Sequence, residues 1–214
     1  MNRRQALKNF GLGAGILIIG PSTLNLLQSC KSEPKIIWNP TFLSMSNGLA
    51  LQQLLNVIIP ETDTPGANDL NLAQFIDSYM DQVASEERQQ YFRRSADAFA
   101  VAFQEEFDKD LDKGKEKDFE KIISKYLSAS PEEQEIFAKR ETETQDPIDE
   151  IPELKMDPDA GSLSYLKNVR QMAIWAWKTS EQIGENVLWY DPIPGQYISC
   201  GPVEELGNGK AMSL

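Results

Sequence analysis

Carboxylates are the side chains of this sequence with the most evident potential for chemistry. Neighbouring pairs such as Glu105 and Glu106, or Glu132 and Glu133, have the residue type that general acid–base catalysis uses. Catalysis would require a cleft in which two carboxylates face one another, and both pairs fall in stretches dominated by charge. We therefore interpret them as solvated surface residues and assign no catalytic residue.

The acidic stretch at residues 141–161 has some of the ligands that calcium prefers. Asp157, Asp159 and Gly161 alternate there, but the glycine at position six and the glutamate at position twelve of a calcium loop are missing. The stretch also contains three prolines, Pro147, Pro152 and Pro158. We interpret it as a long solvated loop and predict no metal site.

The complete absence of histidine excludes several mechanisms. A Ser-His-Asp triad, a histidine-ligated haem, zinc or copper ion, and the Glu-x-x-His ligands of di-iron bundles all require it. The two cysteines, Cys30 and Cys200, are too few for a zinc site or an iron–sulfur cluster. In an oxidising compartment they could instead form a disulfide. The sequence therefore predicts no cofactor in this chain.

The first thirty residues are typical of an export signal. Arg3 and Arg4 precede a short, glycine-interrupted apolar run, which is the pattern of a twin-arginine signal and is too short to span a bilayer. Cys30, with Leu27 three positions before it, matches a lipoprotein processing site. We predict an exported, membrane-anchored lipoprotein of the periplasm or cell envelope. The alternatives are an ordinary signal peptide with an incidental cysteine, and a short membrane-tethering helix.

The charge of the chain excludes a class of partners. The sequence has 21 basic and 33 acidic residues, a net charge of −12. Removing residues 1–29 removes three cations and no anion, so the mature chain has a net charge of −15. Such a surface repels nucleic acid, and the sequence predicts no nucleic-acid partner.

Apolar residues spaced three and four apart predict an all-α fold. We expect a signal peptide at residues 1–29, a tether at 30–45, and one compact domain of five to six helices at 46–214. The last long helix should be followed by an irregular tail rich in proline and glycine. The predicted helices cover residues 46–59, 70–83, 86–111, a segment around 119–126, a short one opened by Ser130-Pro131, and 162–185.

Two segments constrained by proline and glycine predict a partner interface. Pro65-Gly66 is typical of a type II turn, with Asp63 and Thr64 placed to cap local amides, and residues 189–197 are too rigid and apolar for a free tail. Late aromatic residues such as Trp175 and Trp177 are mostly interpreted as core, and the alternative is that tryptophans at the edge of the apolar stripe belong to a partner surface. We predict that both segments lie close together and contact a partner, and the alternative is that they only cap the helical core. The predicted interface residues are Pro60, Asp63, Thr64, Pro65, Gly66, Trp189, Tyr190, Pro194, Gly195 and Tyr197.

Residues 54–67 (LLNVIIPETDTPGA), 179–188 (TSEQIGENVL) and 190–197 (YDPIPGQY) resemble the gluconate 2-dehydrogenase subunit 3 family. The resemblance implies a small non-catalytic subunit that aids maturation and twin-arginine export of a flavin-dependent, glucose-methanol-choline-type oxidoreductase. It places FAD in the large subunit and, in many relatives, haem in a cytochrome c. The competing hypotheses are a stand-alone carboxylate enzyme and a surface lipoprotein that binds a ligand or structural partner.

Overall fold

The computed structural model describes residues 38–143, 156–193, 195–196 and 198–213. They belong to one compact unit, Ile36–Leu214, and contain helices and no β-strand, which confirms the all-α prediction. The described helices are α1 (Met45–Ile58), α2 (Leu72–Gln82), α3 (Glu86–Phe107), a 3-10 turn (Leu111–Lys113), α4 (Glu116–Leu127), α5 (Pro131–Glu143), α6 (Pro158–Thr179), α7 (Glu181–Asn186) and α8 (Val203–Gly207).

Helix α1 begins and ends where local sequence signals place it. The Ser44 hydroxyl accepts a hydrogen bond from the Asn47 amide at 3.2 Å and so caps the helix. Leu51, Leu54 and Leu55 point inward and are at most 1% exposed. The helix stops just before Pro60, whose ring is incompatible with a continuing helical turn.

Helices α3 and α6, each of 22 residues, form the centre of the core. The Tyr165 ring of α6 lies between Phe92 and Phe99 of α3, with centroid distances of 5.2 and 5.3 Å. A methyl group on Gly161 would lie 2.4 Å from the Ala98 side chain, so the two helices cross closely at this point. Gly161 thus permits the close packing of α3 and α6.

The long helix starts and stops earlier than the sequence predicts. It begins at Pro158 because the Asp157 carboxylate caps it. This carboxylate accepts hydrogen bonds from the amides of Asp159 and Ala160 at 3.0 and 2.9 Å. It ends at Thr179, since Ser180 takes an extended backbone and its hydroxyl bonds the Trp177 carbonyl at 2.8 Å. The prediction of a helix over 162–185 was therefore wrong at both ends, and α7 is a separate element.

Two other boundaries also differ from the prediction. Helix α3 ends at Phe107, four residues early, because Asp108 adopts a left-handed conformation with φ of 53°. The predicted tether extends too far, since Phe42 and Leu43 are 5% and 7% exposed and belong to the core. The irregular tail contains α8, which, with α7, raises the number of helices above the predicted five to six.

Candidate partner interface

The loop between α1 and α2 is folded tightly against itself at Gly66. A methyl group on Gly66 would lie 2.5 Å from the Glu61 amide nitrogen and 2.9 Å from the Pro60 carbonyl carbon. The Ala67 amide donates to the Ile59 carbonyl at 2.9 Å and closes the base of the loop. Gly66 is not among the glycines with positive φ, so the predicted type II turn was wrong. The glycine is needed here for close backbone approach.

Capping within this loop uses other side chains than those predicted. The Gly66 amide donates to the Asp69 carboxylate at 2.7 Å, and the Thr64 amide donates to the Thr62 hydroxyl at 3.3 Å. Within the described part of the chain, the Asp63 carboxylate makes no hydrogen bond and is exposed. Asp63 therefore remains available to a partner, while Asp69 holds the turn.

Trp177 connects this loop to the core. Its indole nitrogen donates to the Pro65 carbonyl at 2.9 Å, across 112 residues of sequence. The ring packs against the hydrophobic core, so the hydrogen bond fixes the loop to α6. The exposed residues Pro60, Glu61 and Asp63 are thereby presented from a rigid base.

The tail residue Trp189 is an anchor for the C-terminal segment. Its amide donates to the Ala211 carbonyl and its carbonyl accepts the Ser213 amide, both at 2.9 Å, in an isolated parallel bridge. Its ring covers Gly207, where a methyl group would lie 2.8 Å from the indole. Trp189 is only half-buried, but its contacts serve the fold of the tail itself.

Of the other tail residues predicted to contact a partner, the structure describes Tyr190 and Gly195. Tyr190 is 43% exposed, and a methyl group on Gly195 would meet no atom within 4 Å. Pro194 and Tyr197 lie outside the described residues. In the described chain no hydrogen bond or ring contact joins residues 60–66 to the tail, so their proximity stays a prediction.

Three aromatic residues that the sequence did not assign to the interface form a cluster on the surface. Phe75 and Tyr79 of α2 and Trp175 of α6, here called the aromatic cluster, have ring centroids 5.4–6.4 Å apart. Phe75 and Trp175 are each 42% exposed, and the Arg88 guanidinium lies 5.7 Å from the centre of the Tyr79 ring. The sequence signal that could have indicated this cluster is the position of Trp175 beside the apolar stripe of α6.

One member of each carboxylate pair has a structural partner. Glu106 accepts from Lys121 at 2.6 Å and lies 3.4 Å from Lys125, and the Lys121 hydrogen bond lowers its pKa. Glu133 accepts the Ser130 amide at 2.8 Å and caps α5. Glu105 is exposed. These contacts support the interpretation of both pairs as surface residues.

Two further ionisable groups lie on α4, where Asp118 binds the preceding loop and Tyr126 contacts α6. Burial opposes ionisation of Asp118, but its hydrogen bonds from Lys109 at 2.6 Å and from the Lys115 amide at 2.8 Å lower its pKa overall. Tyr126 donates to Asp159 at 2.6 Å, and burial together with this carboxylate raises the pKa of Tyr126. In the part of the chain that the structure describes, no group of three or more acidic or cysteine side chains is arranged to hold a metal.

The predicted export residues Arg3, Arg4 and Cys30 lie outside the described residues. Cys200 is an exposed free thiol among the described residues, and a disulfide with Cys30 stays an untested alternative. None of the described helices is both long and apolar enough to cross a membrane.

Comparison with known proteins assigns the chain to a family. The family model for gluconate 2-dehydrogenase subunit 3 matches residues 46–195, which include the loop at Gly66, the aromatic cluster and Trp189. No curated protein and no solved structure matches the chain significantly. The match covers well over half of the 214 residues. The chain therefore belongs to the gluconate 2-dehydrogenase subunit 3 family.

Proposed function

We propose that this protein is the non-catalytic small subunit of an exported, FAD-dependent sugar or sugar-acid dehydrogenase. The observation that carries the proposal is the family match over residues 46–195. FAD and substrate would bind to a large subunit of the glucose-methanol-choline type, and a cytochrome c with haem would accept electrons where one is present. The small subunit would aid maturation, twin-arginine export and membrane attachment of its partner.

The chemistry of the chain supports an accessory role. Without histidine it lacks the most common general base and the usual ligand of haem. One carboxylate of each adjacent pair has a structural role, Glu106 in an ion pair and Glu133 in a helix cap. The isolated chain should therefore bind no flavin, haem or iron–sulfur cluster and should show no dehydrogenase turnover. A chromophore bound at one equivalent to the purified chain would contradict the proposal.

The surface within the matched range supports a protein partner. The aromatic cluster is preordered by its own ring contacts, and the loop at Gly66 is fixed by Trp177. Preordered aromatic and loop residues lose little conformational entropy on binding, and Trp and Tyr concentrate binding energy in protein interfaces. We therefore assign the contact with the large subunit to the aromatic cluster and the exposed loop residues, with Tyr190 as the exposed aromatic of the tail.

The interface is tested by co-purification with the large subunit. Trp175→Ala should weaken binding by about 2 kcal/mol if Trp175 is a central contact. Ile174→Ala is the matched control, because Ile174 precedes Trp175 on α6 and is 43% exposed but lies outside the aromatic cluster. If both variants have normal melting curves and bind the large subunit equally well, the aromatic cluster is not part of the interface.

The export and lipidation proposals are tested by fractionation of the natural host. Cys30→Ser should release the protein from membranes, because the lipid anchor would be lost, while Cys200→Ser is the matched control and should leave it membrane-bound. Replacing both Arg3 and Arg4 with lysine should hold unprocessed protein in the cytoplasm. Unchanged distributions in both test variants would contradict this part of the proposal without affecting the partner assignment.

A further inference from the structure

The chain enters the domain through a short strap, residues 38–43. Trp38 is half-buried against the core, and Phe42 and Leu43 are almost fully buried. The Phe42 ring lies 6.2 Å from the Phe92 ring, and the Arg93 guanidinium is 4.1 Å from its centre. The side chains of the strap therefore pack on α3.

A single carboxylate holds the strap backbone. Asp77 of α2 is 1% exposed. It accepts the Thr41 amide at 2.7 Å, the Thr41 hydroxyl at 3.0 Å, the Phe42 amide at 3.2 Å and the Leu43 amide at 2.9 Å. Among the ion pairs of the described residues none involves Asp77. A buried carboxylate needs hydrogen-bond donors to offset its lost hydration, and here the strap supplies them.

The strap is separable from the helix that follows it. The Ser44 hydroxyl caps α1 through the Asn47 amide, and this contact is independent of Asp77. Opening of residues 38–43 therefore need not unwind α1. The binding site of the strap, in contrast, exists only when α2 and α3 are packed side by side, since Asp77 belongs to one and Phe92 to the other.

We propose that Asp77 is a conformational latch. It secures the strap across α2 only after α2 and α3 have packed, and the strap, with Phe42 and Leu43, opens as a unit while the helices stay folded and packed. The latch thereby makes attachment of the preceding chain to the domain dependent on completed folding. Its use in an exported, lipid-anchored subunit rests on the proposed function, because there the strap connects the domain to Cys30.

Amide hydrogen exchange on the purified full chain tests the latch without partner or membrane. In Asp77→Asn the amides of Thr41, Phe42 and Leu43 should lose about tenfold or more of their protection, since hydrogen bonds to a charged acceptor are replaced. Amides of α3 should retain theirs. Asp81→Asn is the matched control, because Asp81 is an exposed aspartate one turn further along α2, and it should change neither set.

A milder variant keeps the test decisive if Asp77→Asn does not fold. Thr41→Val removes only the hydroxyl contact and should lower strap protection selectively by a smaller factor. Unchanged strap protection in Asp77→Asn would overturn the latch, as would loss of protection in the strap and α3 together in Thr41→Val. Either result would leave co-purification with a flavoprotein, and hence the proposed function, unaffected.

Discussion

Replacement of Gly66 by alanine tests whether close backbone approach shapes the loop between α1 and α2. The new methyl group would lie 2.5 Å from the Glu61 amide nitrogen and 2.9 Å from both the Glu61 Cα and the Pro60 carbonyl carbon. All three atoms are backbone, so no side chain can move aside and the loop must open. Overpacking of this kind costs roughly 1–3 kcal/mol. The Asp69 cap and the Ala67 hydrogen bond would be strained as well.

Thermal unfolding followed by circular dichroism measures this cost. In a domain of this size each kcal/mol lowers the melting temperature by about 2–4 °C, so Gly66→Ala should melt several degrees below the wild type. Gly195→Ala is the matched control, because a methyl group there meets no atom within 4 Å, and it should be neutral or slightly stabilising. If Gly66→Ala melts with the wild type, the close approach that defines the loop is not present in solution.

Three further substitutions test a hydrogen bond, an ionised carboxylate and a ring contact. Trp177→Phe should retain the packed ring but lose the hydrogen bond to Pro65, costing about 1 kcal/mol in urea unfolding, and equal stability would show that the indole does not hold the loop. Asp118 has a folded-state pKa below its usual 3.8, so its contribution to stability is present above that pH and is lost as the pH falls through the folded value. Asp118→Asn should therefore flatten the decline of melting temperature below about pH 3.8, and an unchanged decline would contradict this assignment. Gly207→Ala should displace the Trp189 ring and shift its fluorescence to the red, whereas an unshifted spectrum would show that the ring is held elsewhere.

Local patterns of the sequence were sufficient to predict the class of fold. Leucines of α1 recur at helical spacing, and Pro60 ends that helix as expected. Ser130 opens α5 as predicted and caps the helix together with Glu133. These features depend on residues within one or two helical turns of each other, so the sequence alone contains the relevant information.

The elements that the sequence misassigned depend on distant partners. The strap has two prolines, Pro34 and Pro40, in or near it and no periodicity, so it was interpreted as tether, yet its fold is fixed by Asp77, more than thirty residues away. The loop at Gly66 is held by Trp177 across 112 residues. Such contacts leave no periodic signal in the sequence.

The interface was predicted from rigid turns and aromatic content. These features located a rigid loop, but they do not show which side chains the fold itself uses. The turn at Gly66 is rigid, but its cap is Asp69 where the sequence suggested Asp63. Trp189, chosen as an anchor for a partner, is engaged by the tail itself. The aromatic cluster was missed because Phe75 and Trp175 belong to different helices, and only tertiary packing brings their rings together.

We propose above that this chain is a subunit of a flavin-dependent dehydrogenase. The most direct test is affinity purification of the tagged protein from membranes of its natural host, with mass spectrometry of the eluate and an absorbance spectrum of the flavin. We expect a glucose-methanol-choline-type flavoprotein to elute with the chain in equal amounts, with dehydrogenase activity that follows the flavin. Elution of the folded chain without any flavoprotein would contradict it.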